Sequence, residues 1–133
     1  MLDSYAFKTE PYRHQYTALE RSADREAFAL LMEQGTGKTK VIIDNAAMLY
    51  NLGRINALVV IAPNGVHRNW CRKEVPAHLP DYVPRRVAWW SSQPKKAEKE
   101  AYDKLWEPGA ALRVFTINIE AMAMDRCLAE VLK

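Results

Sequence analysis

The stretch Ala27-Phe28-Ala29-Leu30-Leu31-Met32-Glu33-Gln34-Gly35-Thr36-Gly37-Lys38-Thr39 decides how this chain folds. Residues 27–32 are continuously apolar, which suits a strand buried on both faces of a parallel sheet. Gly35 and Gly37 then permit a tight turn whose successive N–H groups point into one concavity. From Lys38 to about Leu52 the pattern is helical, with Val41, Ile42, Ala46, Leu49 and Tyr50 in one apolar stripe and Gly53 as a stop. An anion in the concavity would sit at the positive end of that helix. Lys38 can reach the β- and γ-phosphates of a nucleotide, and the Thr39 hydroxyl can ligate a Mg²⁺ that bridges them. Strand before and helix after give the motif its value, because a bare Gly-x-Gly-Lys-Thr is also met as a chance glycine turn. The phosphate-loop consensus wants glycine at position 32, and this chain has Met32.

Outward from the loop, two periods alternate. Residues 11–22 open with Pro11 and read as a helix carrying Tyr12, Gln15, Tyr16 and Leu19 on one side. Residues 57–62 are a second buried-strand run, closed by Pro63-Asn64-Gly65. Residues 66–78 read as a helix with Val66, Trp70 and Val75 inward, ended or bent at Pro76. A shorter strand is expected around residues 86–89, a charged helix over 95–106, a fourth strand over 112–117 and a final helix over 119–132. Strands alternating with helices predict an α/β fold, a parallel sheet flanked by helices in three layers. Ligands of such sheets bind at the carboxyl ends of the strands, here after Met32, Ala62, Trp90 and Ile117.

Composition sets the outer limits. The 133 residues suit one domain, and 49% hydrophobic content excludes a disordered chain. A net charge of +3 permits contact with nucleic acid without arguing for it. Cys71 and Cys127 have no metal-ligand spacing and read as two reduced thiols. The N-terminus has no basic-then-apolar leader, and no apolar run approaches the ~20 residues that span a bilayer. The expectation is a cytoplasmic protein without membrane contact.

With these segments in hand, the chain resembles the superfamily 2 helicases, and within them the Swi/Snf-type double-stranded DNA translocases. In that group the first loop position is often not glycine and an acidic residue precedes the short glycine motif, as Glu33 does here. Pro11-Tyr12-Arg13-His14-Gln15 resembles the segment in which a glutamine contacts adenine, and Gln15 falls about twenty residues before the loop. Residues 58–63 with Asn69, Trp70 and Glu74 resemble motif Ia, and residues 114–120 resemble motif Ib. The resemblance covers residues 11–125. It implies one partial RecA-like P-loop NTPase lobe over residues 1–133, with ATP and Mg²⁺ as cofactors. Gln15, Glu33, Gln34, Gly35, Thr36, Gly37, Lys38 and Thr39 would hold the nucleotide, with Mg²⁺ reached by Thr39 through the phosphates. Asn64, His67, Arg68 and Asn118 would meet a nucleic-acid backbone, double-stranded DNA by the resemblance. The Asp-Glu-x-His motif of the family would fall after Glu120 and is not in the sequence. The resemblance therefore implies weak nucleotide binding and little or no hydrolysis by these residues alone, and a lobe that is incomplete.

Several residues carry two readings. Gln15 is an adenine reader or a polar residue on an amphipathic helix. His67 and Arg68 touch phosphate or begin a solvated helix. Trp89 and Trp90 stack a base, or, by strand alternation, pack one ring inward and leave the other exposed. Residues 95–100 mix charges at i,i+4 spacing and read as a solvated face. His14, His67 and His78 lack metal-ligand spacing. A non-catalytic interaction protein is the competing class: a truncated lobe would leave a strand edge open to a partner protein, a second copy or the missing half. A small P-loop kinase would need an arginine-rich lid that the sequence lacks.

Overall fold

Three apolar runs become parallel strands: β1 (Ala57–Ala62), β2 (Arg85–Trp89) and β3 (Leu112–Asn118). They pair in the order β1-β3-β2, so the last strand in sequence lies in the middle. Val59 stands opposite Phe115, and Ala88 stands opposite Phe115 on the other side. The computed structural model describes residues 5–23 and 37–122. The expected strand at 27–32, the loop residues 33–36 and the helix beyond 122 lie outside them. The described chain is α/β, a parallel sheet with helices. It divides into two compact units, one of residues 1–55 with 74–83 and one of residues 56–73 with 84–133.

The second unit holds the sheet. Alternate residues of β3 face opposite sides. Phe115 and Ile117 join Ala88, Leu105 and Ala121 in one buried cluster, with Trp90, Ala101 and Tyr102 packed against it. Leu105, Ala101 and Tyr102 come from α5 (Lys96–Leu105), so the charged helix covers this face with its apolar side. Arg86 and Arg113 close its carboxyl end. Arg113 Nε donates to the Leu105 carbonyl at 2.9 Å, and Arg86 Nη2 donates to that of Pro108 at 3.0 Å. Cations at this end also meet the negative pole of the helix.

On the opposite face Thr116 is fully buried and its hydroxyl donates to the His67 carbonyl at 2.6 Å. The Cys71 sulfur lies 3.2 Å from the same hydroxyl. These contacts fasten α3 (Val66–Asn69) and the π turn that follows it, Trp70–Glu74, to the sheet. Helix-forming residues continue through α4 (Val75–His78), so the expected helix over 66–78 exists but is broken by the π turn before Pro76. Its inward face also differs from expectation. Val66 is exposed, and His67 is buried beside Trp70.

Two sheet expectations are corrected. β1 is not buried on both faces: Val59 and Ile61 are 55% and 53% exposed. The reason is cover, since β1 and β2 are both outer strands of the described sheet and α5 packs on β2. Trp89 and Trp90 are both half-buried, so strand alternation does not divide them into one inner and one outer ring.

In the first unit α1 (Arg13–Ser22) packs on α2 (Lys38–Asn51). The expected stripe of α2 is turned. Ile43, Asp44, Ala47 and Met48 are buried with Val41 and Ala46, whereas Ile42, Leu49 and Tyr50 are half-buried. The cause is a charged pair that the fold takes inside. Lys40 Nζ lies 2.8 Å from Asp44 Oδ2, with both side chains almost fully buried. Lys40 also donates to the Thr9 carbonyl at 2.8 Å and lies 5.2 Å from the Phe7 ring centre. Tyr5 donates to the other Asp44 oxygen at 2.8 Å. Burial, and next the Asp44 charge, push the Tyr5 phenol far above its ordinary range. Residues 5–9 are thereby tied to α2.

Candidate functional site

Gly37 begins α2 with φ of 81°, the left-handed region that glycine enters freely. No described side chain caps this helix, and its first turn carries no acidic residue. Among the described residues no side chain thus competes with an anion for its first N–H groups. Lys38 and Thr39 follow in the first turn, both half-buried. Gln15 reaches the same place from twenty-two residues upstream. It is buried, its Oε1 accepts from the Tyr12 N–H at 2.9 Å, and its Nε2 lies 3.4 Å from the Gly37 carbonyl. A side chain at position 37 would collide with that amide. Of the nucleotide residues expected from sequence, Gln15, Gly37, Lys38 and Thr39 meet here. Glu33, Gln34, Gly35 and Thr36 lie outside the described residues.

In the other unit, the carboxyl end of the sheet opens into a cavity of about 320 Å³. Asn64, His67 and Arg68 line it after β1, Trp90, Ser91 and Ser92 after β2, and Asn118, Glu120 and Ala121 at and after β3. All four expected nucleic-acid residues thus border one cavity, although position 118 is fifty residues beyond position 68. Their roles differ. Asn64 and Arg68 are exposed, and Asn118 is half-exposed. His67 is 2% exposed and spends both ring nitrogens on the fold. Its Nδ1 accepts from the Gly65 N–H at 3.2 Å, so Nε2 carries the hydrogen and donates to the Trp90 carbonyl at 3.1 Å. His67 thus braces the β1 and β2 loops with both ring nitrogens.

Sequence reasoning missed Ser91, Ser92 and Glu120 as lining residues. The signal for the serines was their place directly after a parallel strand. Asn118 Nδ2 donates to Glu120 at 3.1 Å. The Glu120 backbone amide first, and then Asn118, hold this exposed carboxyl below its ordinary range. Glu120 therefore stays anionic and opposes the Arg68 charge across the cavity. The set comprises neutral hydrogen-bonding groups, one guanidinium and one carboxylate.

A second cavity of about 290 Å³ shares Trp90 and Ser91 with the first. Trp89, Pro94, Glu98, Lys99, Tyr102 and Asp103 complete its wall. On Trp89, the Arg72 guanidinium lies 5.9 Å from the ring centre. The Trp89 indole nitrogen is buried and has no acceptor among the described residues.

Among the described residues no group of three His, Cys, Asp or Glu is arranged to hold a metal ion. None of the described helices is long and apolar enough to cross a membrane. No protein-family model, curated protein or solved structure matches the chain.

Proposed function

We propose that this chain is an ATP-binding, RecA-like lobe of the superfamily 2 helicase type, which holds a nucleotide on Gly35–Thr39 and touches a nucleic-acid backbone at the carboxyl end of its sheet. The observation that carries the proposal is the start of α2: a left-handed Gly37, an uncapped helix end, Lys38 and Thr39 in its first turn, and Gln15 seated against the loop. The donor chemistry fits the ligand. Backbone N–H groups and the Lys38 ammonium oppose phosphate charge. The Thr39 hydroxyl offers an oxygen to Mg²⁺, whose other ligands would be phosphates and water. When bound, the ion would neutralise charge on the β- and γ-phosphates. Gln15 would hold the loop and one end of α1 in register beside the base.

The nucleic-acid half of the proposal rests on the gathering of Asn64, Arg68 and Asn118 around one cavity. Neutral donors and a single arginine, set against the one carboxylate of Glu120, suit a phosphodiester contact that fixes position without reading sequence. Lys38→Ala tests the nucleotide half. Loss of a charge-assisted hydrogen bond predicts ATP binding weaker by about 10- to 150-fold in calorimetry. Unchanged affinity would remove Lys38, and with it the loop, from the site.

The exposed Val59 and Ile61 on the outer strand favour a second reading, a surface that docks a protein partner or a second copy. Light scattering on a β1 variant separates the two.

A further inference from the structure

We propose that the aromatic cavity beside Trp90 is a subsite for an unpaired nucleobase, so that the chain engages a single strand and not only a duplex backbone. The inference rests on the nucleic-acid half of the function proposed above and adds to it the part of the polymer that is read. Three observations carry it.

The first is continuity. Trp90 and Ser91 line both cavities, so the two adjoin at the end of β2. Asn64, Arg68 and Asn118 line the same cavity as that shared wall. The second is size. Cavities of about 290 and 320 Å³ lie at the lower limit of ligand-holding clefts, about 300–1,000 Å³, a size that suits a base or a sugar-phosphate unit.

The third is chemistry. Trp90 and Tyr102 both pack against the buried cluster of Phe115, Ile117, Ala88 and Leu105, which fixes them from behind. Tyr102 is braced further, with its ring centre 5.8 Å from those of Phe115 and Trp106. Rings held in this way offer a stacking platform at little further loss of freedom. Glu98 and Asp103 can accept hydrogen bonds from exocyclic amino groups, and Ser91 and Lys99 can donate to ring carbonyls. Two carboxylates against one ammonium leave the cavity net negative, which suits a base better than its backbone. The neighbouring cavity sets the Arg68 guanidinium against a single carboxylate, Glu120. The division of labour is thus backbone on Arg68 and base on Trp90. The carboxylates and aromatic rings also suit a cationic side chain of a peptide, which the same experiment separates.

The experiment measures binding of three probes to the full chain by fluorescence anisotropy at one salt concentration: a short single-stranded DNA, an abasic strand of equal length and charge, and a duplex. The base-bearing strand is expected to bind tighter than the abasic strand by about 5- to 150-fold, the gain of stacking one base. Trp90→Ala is expected to erase that advantage and Trp90→Phe to restore part of it, with thermal melts of both variants confirming folding. Arg68→Ala is expected to weaken the base-bearing and abasic strands by the same factor. Equal affinity for these two strands overturns the base subsite and leaves the backbone proposal standing. Failure of every probe to bind overturns the backbone proposal and the subsite together. Displacement of the strand by a short arginine-rich peptide, without any advantage of base over abasic strand, assigns the cavity to a cationic side chain and overturns the inference.

Discussion

Asp44 accepts two hydrogen bonds inside the first unit, one from Lys40 and one from Tyr5, and almost none of its surface reaches water. A carboxylate taken out of water in this way is tolerable only while its partners stay in place. Asp44→Ala leaves the Lys40 ammonium buried without its counter-charge and the Tyr5 phenol without its acceptor, and we expect it to cost about 3–5 kcal/mol in urea denaturation. Replacing Lys40 by Met and Asp44 by Leu together should recover most of that loss, because no charge then remains to be paired. A single variant that melts like the parent would mean that water reaches the pair. Little of this was legible beforehand. Lys40 and Asp44 stand at i,i+4 on α2, and hydropathy places such a pair on the wet side. The available clue was two aromatic residues ahead of the first helix, Tyr5 and Phe7, without a helix or strand pattern of their own. Gln15 was legible, since its spacing to the glycine loop anticipated the seat it takes on Gly37. His67 was legible in place but not in role, because only the structure shows which partners its two nitrogens have.

Whole elements were read more faithfully than their faces. The strands β1, β2 and β3 and the helices α1, α2 and α5 fall within a residue or two of their sequence expectation, because apolar runs and breakers mark them strongly. The faces failed where a local irregularity enters. Near-equivalent positions of an α-helix stand three or four apart. The π turn, Trp70–Glu74, closes its hydrogen bonds five residues apart. No period-based reading anticipates such an insertion. β1 failed differently: its composition promised burial, and the described neighbours cover only part of it. Val59 and Ile61 share the face of Phe115 and Ile117, their partners in register. If that strip meets only water, Val59→Thr with Ile61→Thr should change stability by less than about 0.5 kcal/mol per site, since threonine keeps the β-branch. If it docks a second copy, the same variant should lower the mass seen by light scattering at high protein concentration. A parent that is monomeric at every concentration speaks against self-association. A variant that loses more than about 1 kcal/mol per site places the strip within the fold itself.

At the scale of the molecule, alkali should find the fold's weak side. Burial pushes the Cys71 thiol up to about 11 from 9.0, a shift that its contact with Thr116 only partly offsets. The folded chain therefore keeps its proton where the unfolded chain gives it up. A group whose folded pKa is raised contributes stability that is whole below the unfolded value and lost as pH rises through the folded one. For Cys71 that window runs from pH 9 to about pH 11, and the loss across it is about 2–3 kcal/mol. Tyr5 acts in the same direction in the other unit, where burial and Asp44 keep its phenol protonated while an unfolded phenol ionises. Each unit thus carries one buried acid that opposes alkaline conditions. The cysteine's share can be isolated. Urea denaturation of the parent and of Cys71→Ser, across a pH series, should show the parent's stability falling more steeply through that window. The gap between the two should narrow by about 2–3 kcal/mol, because the serine hydroxyl does not titrate there. Parallel curves would mean that Cys71 titrates as freely in the folded chain as in the unfolded one. That would contradict its packing between Thr116 and the Ala88 carbonyl, which is what fastens the helical segment to the middle strand.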